Sequence, residues 1–211
     1  MSTPNFPFPI RLSEKYRPRK VAEFIGLSKA KRVLGKFVTN PYACSFLFHG
    51  PPGMGKTSMA QAMAEEMGAE IHHLGSQKCN LENIEEICRM CQYVPLTGGF
   101  HFVLIDEVDS ASRAAQLALL SKLDSTDAPK GTVFVFTCNS TDGLEPRFLS
   151  RCLPIDFSSY GMAGEIADYL AGVWHAEGGN GNGPDFARLA KECRNNVRDC
   201  LGRLEVELMA L

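Results

Sequence analysis

The sequence lacks long hydrophobic runs, a strong excess of charge of either sign, and a leader of the secretory type. None of its apolar runs reaches the roughly 18 residues of a membrane-spanning helix, which excludes such a helix. Residues 1–20 contain no apolar stretch followed by small residues, as an export signal would. The formal net charge of −2 excludes a globally basic nucleic-acid-binding protein, although a local basic surface is still allowed.

The cysteines suggest thiols rather than disulfides. Because no export signal precedes them, we expect reduced cysteines in a cytoplasmic protein. The C-x8-C-x2-C spacing of Cys79, Cys88 and Cys91 would also suit zinc, with His72 or His73 as the nearest candidate for a fourth ligand. Cys88 and Cys91 lie three residues apart in a helical pattern that would turn both toward a core. Buried structural thiols are therefore the preferred interpretation.

Short apolar runs mark five candidate buried strands, and stretches with helical periodicity separate most of them. These stretches are 56–67, 81–93 and 112–123. Strands that alternate with helices of this length predict an α/β fold with a parallel sheet covered on both faces, and 211 residues suffice for its core. The predicted strands are SFLFH (45–49), EIHHL (70–74), HFVLI (101–105), TVFVF (132–136) and LPIDF (153–157).

Composition divides the chain into three predicted parts. Residues 1–10 contain three prolines and no periodicity, which indicates a flexible arm. The α/β domain is expected over residues 11–158. Residues 159–211 show helical patterns without a strand signal, which predicts a small helical subdomain, with Pro184 as the first residue of its second helix.

Basic side chains are concentrated in residues 11–36, which hold nine basic and two acidic residues. Acidic residues elsewhere in the chain offset this excess. A solvated face explains such a run as well as a surface for polyanions does, whether nucleotide phosphates or nucleic acid, so both interpretations stay open.

Residues 50–57, Gly-Pro-Pro-Gly-Met-Gly-Lys-Thr, match the phosphate-binding pattern G-x-x-x-x-G-K-[ST] in full, between a predicted strand and a predicted helix. The glycines let successive N–H groups converge at a helix N-terminus, where the dipole favours a phosphate. Lys56 would reach the β- and γ-phosphates of ATP, and Thr57 would bind Mg²⁺. The candidate nucleotide-binding residues here are Pro52, Gly53, Met54, Gly55, Lys56, Thr57 and Ser58.

Polar residues follow the third and fourth predicted strands. Because the carboxyl ends of parallel strands lie on the ligand side of a sheet, we expect Asp106 to bind Mg²⁺ and Glu107 to orient and activate the attacking water. For Asp109 we prefer the interpretation that it caps a helix. If the fourth strand lies beside the phosphate-loop strand, the Asn139 amide would hold the water near the γ-phosphate; a turn residue is the alternative.

With these motifs the sequence resembles AAA+ ATPases, and more narrowly the clamp-loader subgroup, which comprises replication factor C small subunits and their phage and bacterial counterparts. The resemblance covers residues 11–211 and implies a P-loop NTPase core, with five parallel strands in the order 5-1-4-3-2 and a small three-helix lid. It is carried by KYRP (15–18) and FIG (24–26), the phosphate loop, DEVD (106–109), Asn139, SRC (150–152) and NVRDCL (196–201).

The resemblance also implies roles for individual residues. Arg151 would reach the ATP of a neighbouring subunit as an arginine finger, with Arg147 able to share that role. Arg198 would contact the γ-phosphate from the lid. The residues expected to frame the adenine base are Tyr16, Arg17, Ile25 and Gly26. The expected catalytic set is Lys56, Glu107, Asn139 and Arg151.

Two departures from the subgroup affect the expected function. Leu120 and Ser121 stand where the subgroup has arginines that couple DNA contact to hydrolysis, and the helical collar domain that normally follows the lid is absent from this sequence. The expected function is an ATPase subunit acting in DNA replication or repair, which assembles with other AAA+ subunits on a sliding clamp and primer–template DNA. A nucleotide-dependent interaction module with little hydrolysis is the alternative. A small-molecule kinase would leave SRC and KYRP unexplained.

Overall fold

The computed structural model describes residues 10–123, 129–179, 181 and 183–210, which form two units. The sheet unit comprises residues 18–158, and the helical unit comprises residues 159–210 together with residues 10–17. Of the expected N-terminal arm, residues 1–9 lie outside the described part of the chain.

A five-stranded parallel sheet forms the centre of the sheet unit, with strand order β2-β3-β4-β1-β5. This order is the one that the resemblance implies, so that prediction is confirmed. The strands are β1 (Cys44–His49), β2 (Glu70–Leu74), β3 (His101–Ile105), β4 (Thr132–Cys138) and β5 (Leu153–Asp156).

Strand β4 is longer than the sequence predicts. It continues past residue 136 because Thr137 and Cys138 stay in parallel register with Phe48 and His49 of β1. The extension brings Asn139 to the carboxyl edge of the sheet, directly beside the end of the phosphate-loop strand.

Helices cover both faces of the sheet, as the buried strands predict. On one face, Phe46 of β1 packs edge-on against Phe37, with ring centroids 4.8 Å apart. On the other face, Phe134 and Phe136 belong to a buried cluster that includes Cys88. The helices of the sheet unit are α2 (Ser28–Thr39), α3 (Lys56–Met67), α4 (Leu81–Met90), α5 (Arg113–Leu123) and α6 (Pro146–Leu149).

The helical unit contains α1 (Leu12–Lys15), α7 (Ala163–Ala176), α8 (Phe186–Glu192) and α9 (Val197–Met209). The prediction that Pro184 begins the second of the C-terminal helices is wrong. Asp185 is the N-cap instead, because its side chain accepts a hydrogen bond from Arg188 N. Helix α8 therefore begins at Phe186, two residues after Pro184.

Residues 11–17 pack with the helical unit, although the sequence analysis assigned them to the α/β domain. Lys15 forms an ion pair with Glu177 at 2.8 Å, and the Tyr169 hydroxyl donates to Tyr16 O at 3.2 Å. No local pattern shows these contacts, since they join residues more than 150 positions apart in the chain. Among the described residues, no helix combines the length and apolar character required to cross a membrane.

Replacing Gly98 with alanine should destabilise the protein more than replacing Gly68. Both residues have left-handed φ values, +66° and +60°, so either alanine costs about 1–2 kcal/mol of backbone strain. A Cβ on Gly98 would also lie 2.1 Å from Gly68 O, whereas a Cβ on Gly68 would meet no atom within 4 Å. Urea unfolding of the two single variants measures the difference. Equal losses in the free energy of unfolding would contradict the close approach of Gly98 to Gly68 O.

Candidate functional site

The phosphate loop connects β1 to α3 and ends at Gly55. Gly53 and Gly55 have φ values of +76° and +82°, which L side chains rarely adopt, and a Cβ on Gly55 would lie 3.0 Å from the Phe24 ring. Phe24 therefore packs directly beneath the loop. As N-cap of α3, Gly55 has no side chain to cap the helix, so the first backbone N–H groups are available to an anion.

The Lys56 ammonium is buried and donates to three oxygens. Its Nζ lies 2.6 Å from Gly50 O, 2.9 Å from Pro51 O and 3.0 Å from Asn139 Oδ1. Burial lowers the pKa of Lys56. An ammonium has three N–H donors, so a phosphate that reaches Nζ must replace at least one of these acceptors.

The Asp106 carboxylate joins three other elements at the carboxyl edge of the sheet. Its Oδ1 accepts from Thr57 Oγ1 at 2.9 Å and from Thr137 Oγ1 at 3.0 Å, and its Oδ2 lies 2.8 Å from His73 Nε2. The sequence analysis missed Thr137 and placed His73 near a zinc site instead. The available signal for Thr137 was a hydroxyl at the end of an otherwise apolar strand.

Glu107 follows Asp106 in the left-handed backbone region, with φ +53°. Its N–H donates to Thr137 Oγ1 at 3.0 Å, which fixes this backbone conformation. The side chain lines a cavity of about 500 Å³ together with Thr57, His73 and Asp106. Strained backbone of this kind is found preferentially at functional sites.

The prediction that Asp109 caps a helix is wrong. Its Oδ2 accepts from the backbone N–H groups of Asn139 at 2.9 Å and Ser140 at 3.3 Å, because β4 ends beside it. Asp109 therefore fixes the backbone of the asparagine whose side chain contacts Lys56. The structure thus brings together Lys56, Thr57, Asp106, Glu107 and Asn139 from the predicted site.

The residues expected to frame the adenine belong to different units. Tyr16 lies in the helical unit, where its hydroxyl donates to Glu177, and burial together with that carboxylate raises the pKa of Tyr16 to about 12. Arg17, also in the helical unit, contacts Glu14 at 3.4 Å. Ile25 is half-buried in the sheet unit, next to the buried Gly26.

Arg198 lies in the first turn of α9 and faces a groove of about 1030 Å³ within the helical unit. Four other arginines line the same groove, and so do four acidic residues, Asp185, Glu192, Asp199 and Glu207. Glu192 opposes part of the arginine charge through ion pairs with Arg188 at 2.8 Å and Arg203 at 3.0 Å. The arginines of the groove are Arg11, Arg188, Arg194, Arg198 and Arg203.

Arg151 follows α6 and is partly exposed. Its Nη1 donates to Arg147 O at 2.8 Å, so the two candidate finger residues are adjacent on one surface. Cys152 is buried and anchors the segment beneath them.

Two basic residues of the segment 11–36 face carboxylates. Lys15 lies 2.8 Å from Glu177, and Arg11 lies 3.7 Å from Glu205.

All eight cysteines are free thiols, and Cys79, Cys88 and Cys91 are buried in the core cluster as the preferred interpretation expects. His73 does not join them, since it pairs with Asp106. Burial raises the pKa of the Cys91 thiol to about 12.

Comparison with known proteins shows what this fold and site resemble. The chain is 31% identical over 153 residues to "Replication factor C small subunit 1" of Pyrobaculum islandicum, covering 69% of this chain and 46% of that relative. It is 26% identical over 217 residues to "DNA polymerase III subunit tau/gamma" of Haemophilus influenzae, covering 90% of this chain and 31% of that relative. The chain therefore spans less than half of these curated relatives, and the resemblance found from the motifs is confirmed.

A solved structure shares the fold over most of the chain. The "RuvB Holliday junction branch migration motor" of Thermotoga maritima superposes with a TM-score of 0.75 at 20% identity, covering 90% of this chain and 64% of that one. Residues 46–159, more than half of the sequence, match the family described as "ATPase family associated with various cellular activities (AAA)". The chain, with its phosphate loop on a five-stranded parallel sheet, belongs to this AAA family of ATPases.

Proposed function

We propose that this chain binds ATP with Mg²⁺, hydrolyses the ATP, and works as a subunit of a clamp-loader-like assembly in DNA replication or repair. The observation that carries the proposal is the convergence of Lys56 with Asn139 and of Thr57 with Asp106 at one edge of the sheet. The similarity to replication factor C small subunits and to a tau/gamma subunit supports the biological setting.

Thr57 and Asp106 fit a magnesium ion. Their oxygens lie 2.9 Å apart beside the phosphate loop, and Mg²⁺ prefers hard oxygen ligands of this kind. When bound, the ion would neutralise charge on the β- and γ-phosphates. His73 holds the second carboxylate oxygen of Asp106 and thereby orients the first toward Thr57.

The other residues of the edge divide the remaining tasks. The Lys56 ammonium binds the phosphates. Because this ammonium is buried away from water, its attraction for the phosphates is stronger than it would be at the surface. Asn139 orients Lys56 and, in our proposal, the attacking water. Glu107, which lies exposed at the mouth of the cavity, accepts the proton of that water.

Assembly would complete the site, because Arg151 would act on the ATP of a neighbouring AAA+ subunit. Within the same chain, Arg198 would contact the γ-phosphate from the helical unit as a lid. The residues proposed to frame the adenine are Tyr16, Arg17, Ile25 and Gly26. Sliding clamp and primer–template DNA are the proposed further partners. The free cysteine thiols accord with the proposed cytoplasmic location.

Helix α5 limits the proposed contact with DNA. Leu120 packs against the core cluster, and the Ser121 hydroxyl donates to Ala118 O at 2.8 Å. Neither residue can supply the positive charge that the clamp-loader arginines would, so any DNA contact must depend on other basic residues.

Lys56→Ala should weaken ATP binding roughly 10- to 100-fold, because it removes a charge-assisted hydrogen bond worth about 1.5–3 kcal/mol. Lys36→Ala removes the same charge from the exposed surface of α2 and should leave the affinity unchanged. Calorimetric titration with ATP and Mg²⁺ measures both. Equal affinities in the two variants would count against a phosphate site at the loop.

Mixing Glu107→Gln protein with Arg151→Ala protein should restore part of the ATPase activity that each variant lacks. In mixed assemblies, an intact Glu107 site can meet an intact Arg151 from the neighbouring subunit. A parallel mixture of Glu107→Gln with Arg147→Ala shows which arginine acts in trans. Absence of rescue at every mixing ratio would exclude a finger supplied by either arginine.

Primer–template DNA together with a sliding clamp should raise the ATPase rate, and the effect of DNA should decline with salt because phosphate contacts release counterions. Steady-state phosphate release at two salt concentrations measures this response. A constant rate with DNA, with clamp and with both would favour the interaction module over the loader.

A further inference from the structure

A second cluster of ligating side chains lies at the amino edge of the sheet, away from the nucleotide site. His72 is on β2, His101 begins β3, and Cys91 directly follows α4. Asp106 follows the other end of β3, about 16 Å from His101 along the strand, and His72 points to the opposite face of β2 from His73. The proposed ATPase mechanism uses none of the residues at this amino edge.

Strand register places the cluster on one face of the sheet. Glu70 of β2 is paired with His101 of β3, which in turn is paired with Thr132 of β4. His72 lies two residues after Glu70, so its side chain points to the same face. Cys91 belongs to the buried cluster that covers this face, and its sulfur lies near the Thr132 hydroxyl.

The ligand atoms are spaced almost as a bound ion requires. His72 Nε2 lies 3.0 Å from His101 Nδ1, and the Cys91 sulfur is within 4.8 Å of both nitrogens. Around tetrahedral zinc, with Zn–N about 2.0 Å and Zn–S about 2.3 Å, neighbouring ligand atoms are about 3.3–3.6 Å apart. Shifts of about 1 Å in these side chains would therefore bring the three ligand atoms to the spacing found around tetrahedral zinc.

The outer contacts of His101 favour ligation. Its Nε2 lies 2.9 Å from Tyr93 O, and because a carbonyl only accepts, this nitrogen carries the proton. The lone pair of Nδ1 therefore faces His72. A histidine whose second nitrogen donates to a backbone carbonyl is the usual arrangement at metal sites. The Glu70 carboxylate lies outside this cluster of three ligand atoms, but its Oε2 is 3.9 Å from the same Nδ1, near enough to serve as a fourth ligand after a small shift.

We propose that His72, Cys91, His101 and Glu70 form a structural zinc site that fastens the segment after α4 to the edge of the sheet. These residues differ from the zinc set that the spacing of the cysteines suggests, because Cys79 and Cys88 are not in this cluster of ligand atoms. Cys91 and His101 are 1% and 3% exposed, as in a closed structural site.

The segment has little else to fasten it. Tyr93, Val94 and Leu96 are 73%, 88% and 91% exposed, so this stretch gains little from apolar burial. Leu96 N donates to Glu70 Oε2 at 2.6 Å, and Tyr93 O accepts from His101. Zinc bound by Glu70 and His101 would strengthen both of these connections at once.

Zinc would replace a proton at Cys91. Without the ion, the thiol keeps its proton and His72 Nε2–H donates to His101 Nδ1. Binding converts Cys91 to the thiolate, whose proton passes to solvent, and His72 changes tautomer so that its proton lies on Nδ1. Both imidazoles then have a lone pair available to the metal.

The test is a titration of the metal-free full chain with Co²⁺, in the absence of nucleotide. We expect saturation at one ion per chain, with visible bands of tetrahedral cobalt and a thiolate charge-transfer band that Zn²⁺ abolishes. Cys91→Ser should lose the charge-transfer band. Cys88→Ser is the matched control, since it removes a buried thiol three residues earlier, and it should retain the band. A wild-type chain that gives no thiolate band, or a band lost equally in both variants, would overturn the proposal.

A second measurement applies if Cys91→Ser does not fold. Zn²⁺ should raise the thermal midpoint of the wild-type chain and of Asp106→Asn, which alters only the nucleotide site. It should raise the midpoint of His72→Gln much less. We expect this variant to fold, because the side chain that it changes is only partly buried. Equal stabilisation of all three proteins would contradict ligation by His72, and no stabilisation of the wild type would contradict a structural role.

Discussion

The nucleotide site depends on one carboxylate. Asp106, at the end of β3, accepts hydrogen bonds from Thr57 on α3 and Thr137 on β4, and contacts His73 on β2. A carboxylate with three such partners is confined to one orientation, and so are the hydroxyls that it holds. The helix that begins at the phosphate loop is thereby fixed to the sheet edge that carries the proposed catalytic groups.

A second connection fixes Lys56, the cation that we propose binds the phosphates. Lys56 is held by the Asn139 side chain, and the backbone of Asn139 is held in turn by Asp109. Lys56, at the start of α3, is thus connected through Asn139 to the Asp109 carboxylate. The cost of burying Lys56 is offset by three acceptors, which a phosphate can partly replace with a charged partner.

The two edges of the sheet carry different chemistry for a common geometric reason. All strands are parallel, so their carboxyl ends collect at one edge and their amino ends at the other. The carboxyl edge presents hydroxyls and carboxylates, which suit Mg²⁺. Toward the amino ends of β2 and β3 the sheet presents the imidazoles of His72 and His101, and Cys91 after α4 adds a thiol. These ligands suit a softer ion such as Zn²⁺.

The strands, the principal helices and the phosphate loop were predictable because each depends on residues close together in the chain. Apolar runs marked β3 and β4, and a contiguous motif marked Lys56 and Thr57. The contacts of His73, Thr137 and Tyr16 were not predictable in this way. They join residues 31 to 161 positions apart. For His73 and Thr137, a shift of one residue in strand register would also have turned the side chain to the opposite face.

By itself, then, the sequence determined the class of fold, the loop that binds phosphate and the acidic strand end, since local periodicity and motif spacing are sufficient for these. Only the tertiary structure decided that His73 supports Asp106, that Asp109 fixes Asn139 instead of capping a helix, and that Cys91 meets two histidines. Each of these depends on which strands are neighbours and in what register, and that is established by packing of the whole sheet.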